Sequence, residues 1–304
     1  MNGCHKRGQI NVLTVASKSQ VINMTRQKFR GNILYEPSGR ALETARFVFG
    51  GVKPIIVCNL AKSCSHMCSY CYCPTVLKMT KEQFHKKVEL KNKVLEKVDK
   101  DLDRIKLRDD FDPRFVYLGF VGDPFVNGRP DIQDMTTLVM ERLRHEGYTI
   151  CTLTKGSYMT DKIHYTPVIP DWYGISLVSL DEKFRREHEP GATKFSDRLA
   201  GAQAMSDEGA RLWVSMEPYP TPNLSDQNIN YVLEMIERAT NGEIEKLIFG
   251  RWNYDTRTRG QEAELFYIKT AETVVDFCKE NGIIVKVKDD ILKTVDEGDQ
   301  HKLR

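Results

Sequence analysis

The sequence predicts an α/β protein whose parallel strands form an open or partial barrel. After residue 50, short apolar β-rich runs alternate with segments of helical length, the pattern of right-handed βαβ units. The 304 residues supply about six or seven such units, too few for a closed eight-stranded barrel with all its helices. We therefore expect a partial (βα)6-type barrel that binds ligands at the carboxyl ends of its strands.

The elements follow from the spacing of apolar residues. We assign residues 1–50 to an N-terminal extension, 51–255 to the barrel core, and 256–304 to a C-terminal helix–strand extension packed on the core. The predicted strands are Pro54–Leu60, Phe115–Val121, Thr149–Thr154, Tyr173–Leu180, Leu212–Met216, Lys246–Gly250 and Ile283–Val287. The predicted helices are Lys81–Leu107, Ile132–Glu146, Ser196–Glu208, Asp226–Thr240 and Glu262–Asn281.

The helix predicted over Lys81–Leu107 is rich in charge. It contains i, i+4 pairs in the favourable order, which indicates a solvated outer helix; a stripe that contacts phosphates is the alternative. The pairs are Glu82/Lys86, Glu89/Lys93 and Glu96/Lys100.

Composition narrows the class of protein. The net charge of +3 neither requires nor excludes a nucleic-acid partner. No apolar run approaches the length of a membrane span, and polar residues interrupt the N-terminus too soon for a secretory signal, so we expect a cytoplasmic protein with no membrane partner. Eight cysteines in such a chain favour metal or redox chemistry over a disulfide framework.

Three cysteines follow the first predicted strand with the spacing C-x3-C-x2-C, namely Cys64, Cys68 and Cys71. Thiolates are the soft, anionic ligands that iron–sulfur clusters need. A 4Fe-4S cube held by three of them has one iron free for a substrate or cofactor. The spacing therefore predicts a catalytic 4Fe-4S cluster on a tight loop.

Other interpretations of these cysteines remain. A zinc site would need a fourth ligand, His66 or Cys73, and the chain lacks a second, distant Cys/His pair. We expect His66 to be an exposed loop residue and Cys73 a spare thiol. A non-catalytic iron–sulfur or zinc-binding module serving a partner protein is a second alternative, and a disulfide switch between Cys71 and Cys73 is a third.

The cysteine motif resembles that of the radical S-adenosylmethionine (SAM) superfamily. From about Leu34 to Pro222 the chain is most similar to the spore photoproduct lyase-like branch. The segments that carry the resemblance are EPSGRALE, CSHMCSYCYCP, LTKGS, GISLVSLDE, HEPGA and DRLAGA, in that order.

The resemblance implies an activity and its partners. Cys64, Cys68 and Cys71 would bind three irons of a 4Fe-4S cluster, and SAM would bind the fourth. An electron donor such as flavodoxin or ferredoxin would reduce the cluster. Reductive cleavage of SAM would then give a 5′-deoxyadenosyl radical that abstracts hydrogen from a substrate. By analogy with the lyase that substrate would be a nucleic acid, although fold-level analogy is a weak guide to function.

The resemblance also implies SAM contacts at matching positions. Gly122 and Asp123 fall where the family binds the amino group of SAM, and Lys155 falls near its carboxylate. The remaining implied contacts are Tyr72 beside the adenine, and Ser176 or Ser179 together with Glu189 for the ribose and other polar atoms.

The chain departs from the lyase at one position. The lyase has a hydrogen-donating cysteine at the end of its second strand, whereas Tyr117–Asp123 contains none. Cys151 on the next strand is a weak substitute, so a working spore photoproduct lyase is only an alternative. Catalytic residues beyond the cofactor contacts are not predicted. Candidate substrate contacts are Glu217, Tyr219, Arg251, Trp252, Asn253, Lys286 and Lys288.

Overall fold

A computed structural model of the chain describes residues 27–51, 54–160, 163–164, 167–253 and 255–293. Its strands are β1 (Leu34–Tyr35), β2 (Ile55–Cys58), β3 (Phe115–Leu118), β4 (Thr149–Thr154), β5 (Met159–Thr160), β6 (Ile163–His164), β7 (Trp172–Ser176), β8 (Arg211–Tyr219), β9 (Ile244–Arg251) and β10 (Ile284–Val287). The hairpin β5–β6 stands apart from the main sheet.

The helices alternate with the strands as the sequence predicts. They are α1 (Arg40–Phe49), α2 (Cys73–Leu77), α3 (Lys81–Lys86), α4 (Val94–Lys106), α5 (Pro130–His145), α6 (Glu182–His188), α7 (Phe195–Asp207), α8 (Ile229–Ala239), α9 (Gln261–Glu280) and α10 (Asp289–Leu292), with a 3₁₀ turn at Thr256–Thr258. Within the described ranges, no helix combines the length and apolar character that crossing a bilayer requires.

Eight strands form one sheet in the order β1-β2-β3-β4-β7-β8-β9-β10. Strand β1 is antiparallel to β2, and every later neighbour pair is parallel. Since β1 and β10 lie at opposite edges of the sheet, the barrel is open. The prediction of a partial parallel barrel is confirmed, and the carboxyl ends of seven strands lie along one rim.

Alternate residues of the strands contribute to two apolar clusters. The outer cluster joins residues such as Val116, Ile150 and Val214 to helices α4, α5, α7, α8 and α9. The inner cluster joins Tyr117 and Trp213 to Ala45 and other residues of α1. Strands buried on both faces are apolar along their whole length, which is why they are readable in the sequence.

Helix α1, which lies in the predicted N-terminal extension, thus covers part of the inner face of the barrel. The Lys246 ammonium donates to the carbonyls of Phe47 (3.1 Å) and Val48 (2.6 Å). These carbonyls belong to the last turn of α1, whose carbonyls lack the usual i+4 N–H donor, and Phe47 O also accepts from the capping residue Gly50 (3.3 Å). A cation at a helix carboxyl end also interacts favourably with the helix dipole, so β9 fixes the end of α1.

The helix predicted over Lys81–Leu107 is two helices, so that prediction is wrong between α3 and α4. The intervening residues 87–93 run alongside residues 60–63: Lys62 N–H donates to Glu89 O (3.2 Å) and Lys91 N–H to Leu60 O (2.9 Å). Lys93 then adopts a left-handed conformation (φ 52°). Of the predicted pairs Glu96–Lys100 forms (2.7 Å), whereas Glu89 pairs with Lys87 and Lys93 with Glu96.

Candidate functional site

The three motif cysteines lie on the loop that joins β2 to α2, at the carboxyl rim of the barrel. Cys64 and Cys68 are buried and Cys71 is half-buried. We define the cysteine loop as residues 59–72. Its base is held by the end of α3 and by the segment between α3 and α4. Ser63 Oγ donates to Lys87 O (2.6 Å), and His85 Nδ1 lies 2.7 Å from Cys64 O. The non-helical segment therefore has a clear role, which is to hold the cysteine loop.

His66 anchors the middle of the loop from inside. It is 2% exposed, so the expectation of an exposed loop residue is wrong. Asn127 N–H donates to its Nε2 (3.1 Å), which leaves the ring proton on Nδ1, 3.4 Å from Asp123 Oδ2. Burial lowers the pKa of His66 to about 4, so the ring is neutral at physiological pH. Both ring nitrogens are engaged by protein groups.

A second anchor is a buried network that the sequence alone did not reveal. The Tyr70 hydroxyl donates to Glu189 Oε1, and Arg198 Nη2 donates to Glu189 Oε2 (2.5 Å). Arg198 Nη1 continues the chain to Ser176 O (3.0 Å). Arg198 and Glu189 side chains are 0% exposed. Burial alone would raise the pKa of Glu189, but the Arg198 and Lys155 cations outweigh it and lower that pKa.

Two glycines allow other segments to approach the loop closely. A Cβ atom at Gly191 would lie 2.0 Å from Ser65 O, and one at Gly122 would lie 3.0 Å from Ser63 O. Gly122 also has φ 87°, a conformation that side chains disfavour. Gly191 N–H donates to His66 O (3.0 Å). The segments around Gly122 and Gly191, together with residues 87–91, therefore pack against the cysteine loop from three parts of the chain.

The thiol groups differ in acidity. Burial raises the pKa of Cys68 to about 12 and raises that of Cys64 well above its usual value. The neighbouring Cys73 thiol and the His85 ring lower the pKa of Cys71. Cys73 also lies 3.3 Å from Phe120 O, to which its thiol donates. Cys73 is thus a buried neighbour of the last motif cysteine whose thiol donates to the backbone at the end of β3.

The described part of the chain contains no preformed site for a single metal ion. Among the described residues, no three His, Cys, Asp or Glu side chains converge on one metal-ion position. A single zinc ion needs its thiolates within about 2.3 Å of one point, whereas an iron–sulfur cube takes one thiolate at each of several irons. Three motif thiols match the number that a cube with one open iron takes from the protein, and Cys73 lies beside them as a further thiol.

The residues predicted to contact SAM surround the cysteine loop. Asp123 Oδ1 accepts from Phe125 N–H (2.9 Å) and Thr154 Oγ1 (2.6 Å), and Oδ2 accepts from Lys155 N–H (2.7 Å). Asp123 therefore ties the end of β3 to the end of β4. The Lys155 ammonium lies 5.3 Å from the centre of the Tyr70 ring, which places it beside the loop, where it lowers the pKa of Glu189.

The other predicted SAM contacts differ in what they already bind. Ser176 Oγ is buried and has no hydrogen-bond partner among the described residues. Ser179 Oγ instead accepts from Asp181 N–H (3.0 Å) and lies 3.2 Å from Ser225 Oγ, so its capacity is used by the fold. Glu189 is likewise committed to Tyr70 and Arg198. Tyr72 is half-exposed, and its hydroxyl donates to Phe120 O (2.6 Å).

Trp252, a candidate substrate contact, packs against the cysteine loop. It is buried, its ring meets Tyr70 edge-on at 4.6 Å, and His188 lies 5.3 Å away. His188 Nδ1 lies 2.8 Å from Ser69 Oγ. Within the part of the chain that the structure describes, Trp252 Nε1 has no hydrogen-bond partner. Trp252 therefore supports the cysteine loop by packing against Tyr70.

The remaining substrate candidates lie at several places. Glu217 and Lys288 form an ion pair (3.2 Å) on the inner face, and Lys288 also reaches Thr44 of α1 (3.2 Å). Asn253 donates to Asp290 (2.5 Å). Arg251 lies over the Tyr267 ring, buried Tyr219 packs on Phe249, and Lys286 lines a surface depression with residues of α1. Cys151 is fully buried in the inner cluster, which does not favour its use as a hydrogen donor.

An open parallel barrel with a three-cysteine loop at its carboxyl rim defines a class of cofactor-dependent enzyme. Comparison with family models makes the assignment: residues 58–265 match the radical SAM superfamily. The match covers more than half of the chain, and the chain therefore belongs to that superfamily. It is an enzyme that carries out SAM-dependent radical chemistry.

Solved structures share the fold. A mutant spore photoproduct lyase has 16% sequence identity and a TM-score of 0.52, covering 75% of this chain and 75% of that one. Another lyase mutant, with bound SAM and dinucleoside spore photoproduct, has 14% sequence identity and a TM-score of 0.50. That alignment covers 76% of this chain and 75% of the lyase chain. SuiB from Streptococcus suis, bound to SAM, has 15% sequence identity and a TM-score of 0.50, and the alignment covers 83% of this chain and 57% of the SuiB chain. No curated protein matches the sequence.

Proposed function

We propose that the chain binds a 4Fe-4S cluster through Cys64, Cys68 and Cys71 and cleaves SAM reductively at the open iron. The observation that carries the proposal is the placement of these three cysteines on one buried loop at the carboxyl rim, inside the region that matches the superfamily. When bound, the cluster would supply one electron to SAM, giving methionine and a 5′-deoxyadenosyl radical that abstracts hydrogen.

The protein's own part is to fix the loop and to surround SAM. Gly122 brings backbone close to the loop, where the amino group of SAM would bind. The Lys155 ammonium faces Tyr70 and Glu189, where it can pair with the SAM carboxylate. Ser176 offers a buried, unpartnered hydroxyl for a ribose hydroxyl. Tyr72, beside Phe120, would lie against the adenine.

Glu189 has a positioning role in this proposal. Both of its carboxylate oxygens hold other side chains, so it acts on SAM through Tyr70 and Lys155. Burial of the whole network also keeps water from the site, and exclusion of water protects a reactive radical.

Purified chain, reconstituted with iron and sulfide without oxygen, provides the test. With SAM and dithionite we expect 5′-deoxyadenosine and methionine in equal amounts. Cys64→Ala, Cys68→Ala and Cys71→Ala should each abolish both products and most of the broad absorption of the cluster. Cys278→Ala is the matched control, because Cys278 is buried in α9. Full activity in any motif variant would overturn the proposal.

The same experiment separates the alternatives. A brown protein that never forms 5′-deoxyadenosine would be a non-catalytic module, and a colourless protein that retains zinc would be a zinc module. A lyase-type reaction is less favoured, since the stretch from Tyr117 to Asp123 contains no cysteine and Cys151 is enclosed by the inner cluster. Deuterium transfer from a labelled candidate substrate into 5′-deoxyadenosine would identify the substrate.

A further inference from the structure

An exposed apolar patch lies directly beside the cysteine loop. Val76, Leu77 and Met79, on α2 and just after it, are 65%, 39% and 40% exposed. Helix α2 begins two residues after Cys71 and rises by about 1.5 Å per residue. The patch therefore lies within a short through-protein distance of the last motif cysteine. We call these three residues, with Lys78 and Lys81, the α2 face.

The surroundings of the α2 face are basic. Residues 62–91 contain six lysines and two glutamates. Lys78 is exposed at the end of α2, and the Lys81 ammonium donates to Ser69 O within the cysteine loop. The two glutamates, Glu82 and Glu89, do not balance this charge, and one of them is already paired with Lys87 (2.5 Å).

Exposed apolar residues surrounded by lysines indicate a surface that binds another protein. An apolar centre with a charged rim is typical of protein interfaces, and weak redox encounters bury small areas, usually below about 1,200 Å². Opposite charge raises the rate at which such partners meet. The cluster in the proposed function must be reduced from outside, and electron transfer falls off steeply with distance.

We propose that the α2 face docks an acidic one-electron carrier protein that reduces the cluster. This inference depends on the function proposed above. The carrier loses one electron and the cluster gains it, so no further reactant is needed. The α2 face contains none of the residues proposed above to contact SAM, so the carrier and SAM do not compete for the same side chains.

Binding of the carrier is tested with a double variant, Val76→Glu/Lys78→Glu. The probe is recombinant flavodoxin, an acidic carrier, titrated into reconstituted protein by calorimetry, with ferredoxin as a second probe. We expect the dissociation constant to rise by about tenfold or more at low salt, and the difference to shrink as salt screens the charges. The matched control is Leu138→Glu/Lys279→Glu, which makes the same changes on α5 and α9 and should bind normally.

Activity then distinguishes this inference from the function it depends on. With dithionite, the α2-face variant should form 5′-deoxyadenosine at the wild-type rate, while the flavodoxin-driven rate should fall in proportion to binding. Absence of product with dithionite in the unmodified protein would instead refute the proposed function. Docking at this face is refuted if neither carrier binds the unmodified protein, if the control variant is equally impaired, or if the α2-face substitutions dissociate a dimer of the chain.

Discussion

At the scale of single residues, the ion pair of Glu189 with Arg198 decides how Tyr70 is held between Cys68 and Cys71. Removing one partner from a buried pair leaves an uncompensated charge, which costs about 3–5 kcal/mol. We therefore expect Glu189→Gln to lower the free energy of unfolding of the metal-free protein by about that amount, measured by urea denaturation. Arg238→Gln is the control, because Arg238 and its partner Glu234 are both exposed and such pairs contribute about 1 kcal/mol or less.

Ionisation of the Glu189 carboxylate makes the free energy of unfolding depend on pH. The folded-state pKa of Glu189 is lowered, so the carboxylate stabilises the fold fully above the ordinary glutamate pKa of about 4.3. That stabilisation is lost as the pH falls from there through the folded-state value. The stability of the Glu189→Gln variant should change less over this acidic range. An unchanged pH profile would mean that Glu189 does not ionise as the geometry indicates.

Ser176 and Ser179 were equivalent candidates for a SAM hydroxyl contact, and the structure separates them. Ser176→Ala removes an unpartnered buried hydroxyl, so the fold should be unaffected while the dissociation constant for SAM rises about five- to tenfold, the equivalent of about one hydrogen bond. Ser179→Ala breaks bonds to Asp181 and Ser225 and should cost about 1 kcal/mol of stability without changing SAM affinity. Calorimetric SAM titration and urea denaturation of both variants provide the measurement; the opposite pattern would reverse the assignment.

At the scale of elements, the cysteine loop depends on close packing by the segment after α6. An alanine Cβ at Gly191 would lie 2.0 Å from Ser65 O, so Gly191→Ala must displace the loop. We expect the variant to fold, with normal far-ultraviolet circular dichroism, but to hold clearly less iron per chain after reconstitution. Gly147→Ala is the control: Gly147 has φ 78° and nothing within 4 Å of a Cβ, so it costs about 1–2 kcal/mol of backbone strain with normal iron content. Equal iron in both variants would contradict the argument.

The elements that sequence could predict are those with strong periodicity. Strand β4 was predicted to the residue, and α5, α7, α8 and α9 within a few residues, because burial imposes their apolar spacing. The break between α3 and α4 was missed since its cause is tertiary: residues 87–91 pair with the base of the cysteine loop. Short elements such as α2 and α6 carry too few residues to show a period.

The site shows the same division. Cys64, Cys68 and Cys71 were recognisable because their spacing is a local pattern. The buried roles of His66 and Arg198 were not, because their partners lie far along the chain: Asn127 for His66, and Glu189 and Ser176 for Arg198. One signal was available for Glu189, which the family resemblance placed near SAM. Its partners, however, came only from the fold.

At the scale of the whole molecule, the open barrel has to cover the inner face of its sheet. Helix α1 covers part of that face, because Ala45 and Val48 are fully buried against residues of the inner cluster. Lys246 and Lys288 bind α1 from β9 and from just beyond β10. The part of the inner face near Glu217 and Ser176 is the part that the proposed function assigns to SAM and substrate. We therefore propose that the predicted boundary at residue 50 does not separate independently folding units.

This packing makes a prediction about the boundary at residue 50. If residues 51–304 formed an independent core with its C-terminal extension, a chain lacking residues 1–50 would unfold as cooperatively as the full chain. We expect instead that it aggregates or unfolds without cooperativity, because removing α1 exposes the inner cluster and leaves the Lys246 ammonium without its α1 carbonyl acceptors. Full-length Val48→Asp should reproduce part of the loss, since a buried, unpaired carboxylate opposes folding. Val76→Glu, on the exposed α2 face, is the matched control and should unfold normally in urea. Cooperative unfolding of the 51–304 chain at the full-length midpoint would show that α1 is dispensable for the barrel.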